Sequence, residues 1–127
     1  MPIAVVLDTN FLLLPFQRKL DLEGEVERLL ETPHFYVVLG QCLDELREMG
    51  SKQRKFSPAS RAALALIANK KFVVERGFPG PPDDAILKYC IAKNAIMCTA
   101  DAALRAKAKK ARVKTIYLRG KSHLALA

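Results

Sequence analysis

Five short apolar runs alternate with amphipathic segments along the chain, and each run predicts a buried β-strand. The first run, residues 3–7, is continuous and rich in β-branched residues. Similar runs occupy residues 35–39, 71–74, 95–98 and 114–118. Continuous apolar runs of this length are typical of strands that are covered on both faces.

The segments between these runs predict helices. Apolar residues in residues 22–30 recur with helical spacing and stop before a Thr-Pro pair, and residues 41–49 form a short helix that Gly50 should end. Ser57 and Pro58 are a favourable start for a helix that extends to about Asn69. A loop rich in glycine and proline at residues 77–82 precedes a helix that ends near Asn94, and residues 102–110 form the last helix. Alternating strands and helices predict an α/β fold with a central parallel sheet of about five strands and helices on both faces.

Length and composition limit the class of protein. A chain of 127 residues, half of them hydrophobic, fits one domain over residues 1–127 with one core. No apolar run reaches the roughly 20 residues that cross a bilayer, and the first residues do not resemble a secretory signal. Three cysteines without a CxxC pair are expected to be reduced and mostly buried. The sequence therefore predicts a cytoplasmic protein that does not bind membranes.

The aromatic side chains and the net charge bear on partners in different ways. Four phenylalanines are expected in the core rather than at a base-stacking surface: Phe11, Phe16, Phe35 and Phe72. The formal net charge is +8, and a basic C-terminal segment from about residue 102 contains eight lysines and arginines and no acid. Residues 50–74 are basic in the same way. A polyanion is the expected partner of such surfaces, although a solvated basic face would give the same pattern.

The acidic residues near the ends of the predicted strands carry the chemical argument. Asp8 directly follows the first strand, and Asp101 follows the fourth by two residues. Asp83 and Asp84 open the helix before that fourth strand, and Glu45 lies on the short helix after the second. Sites in open parallel sheets form at the carboxyl ends of the strands, so these acids should lie at one edge. Each could instead cap a helix or, for Glu45, face solvent.

A group of carboxylates at one edge favours a divalent cation. Carboxylates that lie close together repel one another unless a cation is present, and Mg²⁺ and Mn²⁺ prefer oxygen ligands. Such ions activate water and stabilise the displacement at a phosphodiester. A basic exterior around an acidic centre therefore suits a nucleic-acid substrate.

Four segments resemble the motifs of the PIN-domain ribonuclease family, in order and spacing: residues 5–13, 42–46, 84–87 and 98–101. The resemblance spans nearly the whole chain and extends to VapC-type toxins and to PIN endonucleases of ribosomal RNA maturation. It implies a three-layer α/β/α fold with strand order 3-2-1-4-5, which would place the first and fourth strands side by side.

The resemblance also implies roles for individual residues. The catalytic, metal-binding acids would be Asp8, Glu45, Asp84 and Asp101. Asn10 and Thr99 would orient carboxylates or waters. Asp83 would be a helix cap or an auxiliary acid, and the choice between Asp83 and Asp84 as the ligand stays open.

These residues predict a Mg²⁺- or Mn²⁺-dependent endoribonuclease. RNA backbone contacts are expected from six basic residues: Lys52, Arg54, Lys55, Lys107, Lys109 and Lys110. The family resemblance implies two further partners, an antitoxin protein and a second copy of the chain, to which the apolar residues 12–16 could contribute. The choice between a toxin and an RNA-processing enzyme stays open.

Two other functions fit parts of this pattern. A non-catalytic RNA-binding module on the same scaffold is the first, and the presence of all four acids argues against it. A signalling receiver domain is the second, but it requires a phosphoacceptor Asp after a middle strand. The third predicted strand is followed by Glu75 and Arg76, with no Asp.

Overall fold

A computed structural model describes residues 2–52 and 57–127. Within these residues the strands are β1 (Ile3–Leu7), β2 (His34–Leu39), β3 (Val73–Glu75), β4 (Ile96–Cys98), β5 (Thr115–Arg119) and β6 (His123–Leu126). The helices are α1 (Thr9–Gln17), α2 (Leu22–Leu30), α3 (Gly40–Lys52), α4 (Ser57–Asn69), α5 (Pro82–Lys93) and α6 (Ala102–Lys110).

The strands form one sheet in the order β3-β2-β1-β4-β5-β6. β1 is central and pairs in parallel with both β2 and β4, so that Val5 lies opposite Tyr36 on one side and Ile96 on the other. The predicted parallel order 3-2-1-4-5 is confirmed. The expectation of about five strands misses one, because β6 pairs antiparallel with β5 at the edge of the sheet.

The additional strand β6 is fastened to α2 by side chains. The Leu124 amide donates to Glu25 Oε1 over 2.8 Å, and Arg28 Nη2 donates to the Leu124 carbonyl over 2.8 Å. Arg28 also pairs with Glu25 at 3.0 Å. Hydrogen bonds from Arg28 and from the Leu124 amide lower the pKa of Glu25 to about 2, so the carboxylate is charged under ordinary conditions.

Helices cover both faces of the sheet, and the core lies between these layers. α1, α3 and α4 contact one another, and α5 contacts α6. The strands β1, β2 and β4 supply fully buried side chains such as Val6, Leu39 and Met97. Across the described residues, no helix combines the length and the apolar composition that a membrane crossing would need.

Some sequence-based assignments to the core are confirmed and others are wrong. Phe11 and Phe72 are buried, whereas Phe16 and Phe35 are 42% and 38% exposed. Most of segment 12–16, which was expected to contribute to self-association, is not accessible to a second copy of the chain. Residues 12–14 are buried in this core, and only Phe16 is well exposed. All three cysteines are free and buried, as expected.

Three of the crossover helices, α4, α5 and α6, end in the same turn, which delivers a buried residue towards the next strand. After α4, the Phe72 amide donates to the Ile67 carbonyl and Lys71 adopts a left-handed backbone with φ of 53°. After α5, the Ala95 amide donates to the Cys90 carbonyl and Asn94 has φ of 51°. After α6, the Val113 amide donates to the Ala108 carbonyl and Arg112 has φ of 60°. This pair of features is the Schellman arrangement, in which glycine is usual at the left-handed position.

Gly50 does not end α3, contrary to the prediction. The helix continues to Lys52, and Gly50 lies inside it against α4. A side chain at this position would begin 3.3 Å from Ser60 Oγ, so the missing side chain lets the two helices approach closely. The buried Ser60 hydroxyl donates to the Leu46 carbonyl across this contact.

Candidate active site

Asp8 lines a cleft at the carboxyl edge of the sheet. It follows β1 and caps α1, since its Oδ1 accepts from the Phe11 amide over 2.7 Å. Its Oδ2 accepts a hydrogen bond from the Thr99 hydroxyl over 2.5 Å. The helix-cap alternative therefore accounts for Oδ1 of this carboxylate. Oδ2 is held by Thr99, the residue that follows β4.

The surroundings of Asp8 destabilise the charged form of its carboxyl group. Its side chain is buried, and burial raises its pKa from 3.8 to about 6, aided by the negative charges of Asp83 and Asp101 and opposed by the hydrogen bonds from Thr99 and the Phe11 amide. A carboxylate that is buried near two other acids is destabilised in its charged form. A cation in the cleft would offset this cost.

Two threonines connect the acids around the cleft. The Thr9 hydroxyl donates to Glu45 Oε1 over 2.7 Å and so joins the start of α1 to α3. Thr99 Oγ1 accepts from the Asp101 amide over 3.0 Å, while its hydroxyl donates to Asp8. Thr9 received no role from the sequence, although its position between Asp8 and Asn10 in the first motif was a signal.

Asp101 also caps a helix. Its Oδ1 accepts from the Ala103 and Leu104 amides over 2.8 and 3.3 Å, at the start of α6. The same side chain lines the cleft, and its Oδ2 takes part in neither capping bond. Asp101, like Asp8, can therefore cap a helix and face the cleft at once.

The cleft has a volume of about 310 Å³ and contains the carboxylates of both strand ends. Its lining residues are Asp8, Thr9, Asn10, Cys42, Glu45, Pro81, Pro82, Asp83 and Asp101. Of the two adjacent acids on α5, this set contains Asp83 and not Asp84, as far as the described residues show. Asp84 lies next to Gly80, since its Cβ is 3.9 Å from the position that a Cβ on Gly80 would occupy.

The start of α5 explains this arrangement. The helix begins at Pro82 with Pro81 as its N-cap, and within the described residues no side chain caps it. Neither Asp83 nor Asp84 therefore caps α5 through a side-chain hydrogen bond. Both acids lie in the first turn, where the amide groups of the helix favour negative charge.

The proline-rich loop that forms one wall of the cleft is held by Gln41. Its Nε2 donates to the carbonyls of Phe78 and Gly80, over 2.6 and 3.1 Å. Phe78 also packs edge-on against Tyr89, with ring centroids 5.3 Å apart. These contacts hold the loop that leads into α5, and no pattern in the sequence indicated them.

The residues fit a hard, hydrated cation. The acidic and amide side chains of the cleft supply oxygen donors, and the space exceeds that of a bare ion. No three Asp, Glu, His or Cys side chains among residues 2–52 and 57–127 converge tightly enough to enclose an ion by themselves. Mg²⁺ usually keeps several waters and uses one or two carboxylates, which suits such an open site.

Cys42 is the other reactive side chain in the cleft. Burial raises the pKa of its thiol to about 11, so it stays protonated near neutral pH. A thiol in this state is a poor nucleophile. The chemistry of the cleft therefore belongs to its oxygen ligands.

The residues expected to contact RNA are distributed over separate parts of the chain. Lys107, Lys109 and Lys110 are exposed on α6. Lys52 is described only as the last residue of α3, and Arg54 and Lys55 lie outside the described residues.

Comparisons with known proteins agree with this architecture. A family model described as a PIN-like domain matches residues 5–121. Ribonuclease VapC4 of Methanocaldococcus jannaschii is 31% identical over 121 residues, which cover 94% of this chain and 92% of that protein.

Solved structures show the same fold at low identity. The PIN domain endonuclease Utp24 superposes with a TM-score of 0.81 at 20% identity, over 98% of this chain and 91% of that one. A chain from the structure of VapBC2 of Rickettsia felis bound to a promoter DNA fragment gives a TM-score of 0.64 at 17% identity. That match covers 92% of this chain and all of the other.

Proposed function

Because the chain belongs to the PIN-like domain family, we propose that it is a divalent-metal-dependent endoribonuclease. The observation that carries the proposal is the buried, electrostatically strained Asp8 in a cleft shared with Glu45, Asp83 and Asp101. Its relative VapC4 is named a ribonuclease, which supports RNA as the substrate.

Each cleft residue has a proposed role. Asp8, Glu45 and Asp101, together with one of the two acids on α5, would hold a hydrated Mg²⁺ or Mn²⁺, one or two of them directly and the others through its waters. The placement of Asp83 in the cleft favours Asp83 over Asp84. Thr99 and Thr9 would keep Asp8 and Glu45 in position through the hydrogen bonds that they donate. Asn10, exposed at the rim, would orient water or substrate.

The ion would supply charge stabilisation at the phosphate and activation of water. The protein's own contribution is then to place the ligands without rearrangement, because two of them already serve as helix caps. The basic residues proposed for backbone contact would hold the RNA by its phosphates, largely without reading sequence. These are Lys52, Arg54, Lys55, Lys107, Lys109 and Lys110.

A cleavage assay tests the proposal. Labelled single-stranded RNA is incubated with the protein in Mn²⁺, in Mg²⁺ and in EDTA, alongside Asp8→Asn and the control Asp21→Asn. Asp21 is a suitable control because it also caps a helix, through the Gly24 amide at 3.1 Å, but lies at the start of α2 and does not line the cleft.

We expect cleavage only with a divalent ion, its loss in Asp8→Asn and its retention in Asp21→Asn. Full cleavage in EDTA would remove the metal mechanism. RNA binding without cleavage under every condition would instead favour a non-catalytic RNA-binding module.

We also propose that an antitoxin protein binds this chain, as the relationship to VapC4 and the likeness to VapBC2 suggest. A small open reading frame beside the gene, whose product co-purifies with the chain and inhibits cleavage, is the expected result. Cleavage that this neighbouring product leaves unchanged would favour an RNA-processing role.

A further inference from the structure

A second pocket lies between α6 and β5 and shares no lining residue with the cleft among the described residues. Its volume is about 430 Å³. Four cationic side chains line it, namely Arg105, Lys109, Arg112 and Lys114, and the rest of the lining is Val113, Thr115, Tyr117 and Ala127. None of the side chains that line it within the described part of the chain is acidic.

Local structure explains why these side chains converge. Arg105 and Lys109 are four residues apart and therefore lie on one face of α6. The turn after α6 buries Val113, which brings Arg112 and Lys114 to the mouth of the pocket. Thr115 and Tyr117 alternate along β5 and so point to the same face of the sheet.

The pocket combines positive charge with a flat surface. The Arg105 guanidinium lies over the Tyr117 ring, with Cζ 4.3 Å from the ring centroid. Both side chains are half-buried, which holds the pair in place. Over the described residues, none of the four cations forms an ion pair with an Asp or Glu side chain, so no neighbouring acid neutralises them.

We propose that this pocket is a second RNA-binding site, which holds a single-stranded segment that leaves the cleft along α6. A base would stack on the Arg105–Tyr117 pair, and Lys109, Arg112 and Lys114 would contact the adjacent phosphates. Unpaired RNA bases stack on aromatic rings and guanidinium planes, and lysine and arginine bind the backbone. The inference rests on the proposed function, because it takes RNA as the substrate.

The position of α6 makes one strand of RNA able to reach both sites. Asp101 lines the cleft and caps the start of α6. Arg105 follows about 6 Å along the helix axis and Lys109 about 12 Å, at about 1.5 Å per residue. A few neighbouring nucleotides would therefore connect the scissile phosphate to the pocket.

The pocket also separates the three lysines that sequence alone treated as one group. Lys109 lines it, whereas Lys107 and Lys110 are exposed on other parts of α6. Replacing Lys107 and Lys110 thus removes the same charge from the same helix without changing the pocket. The second site thereby assigns the phosphate contact on α6 to Lys109 and leaves Lys107 and Lys110 with only their long-range charge, so this pair is a matched control.

RNA binding is measured in EDTA on the Asp8→Asn background, which keeps the RNA intact. We expect Lys109→Gln with Lys114→Gln to weaken binding of a short single-stranded RNA by roughly 10-fold or more at 0.1 M salt. The slope of log K against log[salt] should fall by about 1.4, at about 0.7 per phosphate contact. Lys107→Gln with Lys110→Gln should change both much less. Equal effects of the two pairs would overturn the proposal, because any basic surface would then suffice.

The stacking part of the proposal is tested at Tyr117. Tyr117→Phe keeps the ring and should bind RNA normally, whereas Tyr117→Leu should weaken binding by about 5-fold or more. Polyphosphate, which has no bases, should compete poorly at equal phosphate concentration. Equal competition together with an unaffected Tyr117→Leu variant would reduce the pocket to a polyanion surface. Tighter binding of polyglutamate than of RNA would point to a protein partner and would also overturn the proposal.

The proposed function fails separately from this inference. Pocket variants that keep Asp8 should raise KM for RNA cleavage more than they lower kcat, because their side chains bind RNA outside the cleft. RNA binding that depends on the pocket, without any cleavage, would contradict the proposed nuclease activity but would support the second RNA-binding site. Thermal melting of each variant confirms that it is folded.

Discussion

At the residue scale, Asp8 combines a structural and a functional requirement that conflict. As a helix cap it stabilises the start of α1, where a side-chain oxygen satisfies the Phe11 amide. As a charged group it is destabilised by burial and by its acidic neighbours. Of its two oxygens only Oδ1 caps the helix, so an amide side chain could keep the cap while removing the charge.

Asp8→Asn should therefore stabilise the metal-free protein at neutral pH. The difference between a pKa of 3.8 and one of about 6 corresponds to about 3 kcal/mol, at about 1.4 kcal/mol per pKa unit, and this is the upper limit of the gain. The Asn amide would donate to Thr99 Oγ1, whose hydroxyl would have to turn to another acceptor, and this loss reduces the gain. Thermal or urea unfolding in EDTA at pH 7.5 measures it.

The gain should disappear in acid. A folded-state pKa that lies above the unfolded value means that the penalty is absent below pH 3.8 and grows as pH rises through about 6. The difference in unfolding free energy between Asp8→Asn and the parent should therefore shrink as pH falls from 7.5 to 4. Asp21→Asn, at an exposed cap, should show little change at either pH. A less stable Asp8→Asn variant at pH 7.5 would mean that the carboxylate serves the fold.

The two acids on α5 give the second prediction. Asp83→Asn should reduce RNA cleavage by about 100-fold, because Asp83 lines the cleft near Asp8. Asp84→Asn, an identical change one residue later, should reduce it at least 10-fold less. The measurements are kcat/KM for RNA cleavage and the Mn²⁺ concentration that gives half of the activity. The reverse order would assign the ligand role to Asp84, as the motif resemblance suggested.

At the element scale, several helices end on a left-handed residue that is not glycine. Lys71 follows α4 and is exposed. Among the described residues, its side chain makes no contact that would compensate for the left-handed strain. Lys71→Gly should stabilise the protein by about 0.5–1 kcal/mol, which is the relief of left-handed strain less the entropy cost of glycine. Ala65→Gly, at an exposed position inside α4, should instead destabilise it by about 1 kcal/mol. Equilibrium unfolding in urea compares the two, and a loss of stability in Lys71→Gly would contradict the strain.

The elements also show what sequence could and could not predict. Strands buried on both faces, such as β1 and β4, were predicted almost to the residue because their apolar runs are uninterrupted. β6 was missed because its four residues are only partly buried and depend on Glu25 and Arg28, nearly 100 residues earlier in the chain. The end of α3 was misjudged for a similar reason. Gly50 serves its contact with Ser60, and not the end of the helix.

The site follows the same division between local and distant information. The order of the apolar runs puts acids at the strand ends, and it correctly predicts that Asp8 and Asp101 lie at the same edge of the sheet. The choice of Asp83 over Asp84 in the cleft depends on where α5 begins and on how Gln41 holds the preceding loop. Contacts between residues about 40 positions apart leave no periodic signal in the sequence.

At the scale of the whole molecule, the chain combines a formal net charge of +8 with a small acidic cleft. The basic exterior attracts RNA, while the acids would repel its phosphates unless a cation is present. The same cation would relieve the repulsion among Asp8, Asp83 and Asp101. Substrate binding at the cleft and stability of the fold should therefore both depend on the ion.

This dependence gives the last prediction. An ion that binds only the folded state stabilises it by about 2.7 kcal/mol at 100 times its dissociation constant. Mn²⁺ should therefore raise the melting temperature of the parent and of Asp21→Asn equally, and that of Asp8→Asn much less. Because the Asp8 penalty is at most about 3 kcal/mol, the parent should be the less stable protein in EDTA and approach Asp8→Asn in saturating Mn²⁺. An equal rise in all three proteins would place the ion outside the cleft, even if cleavage still required it.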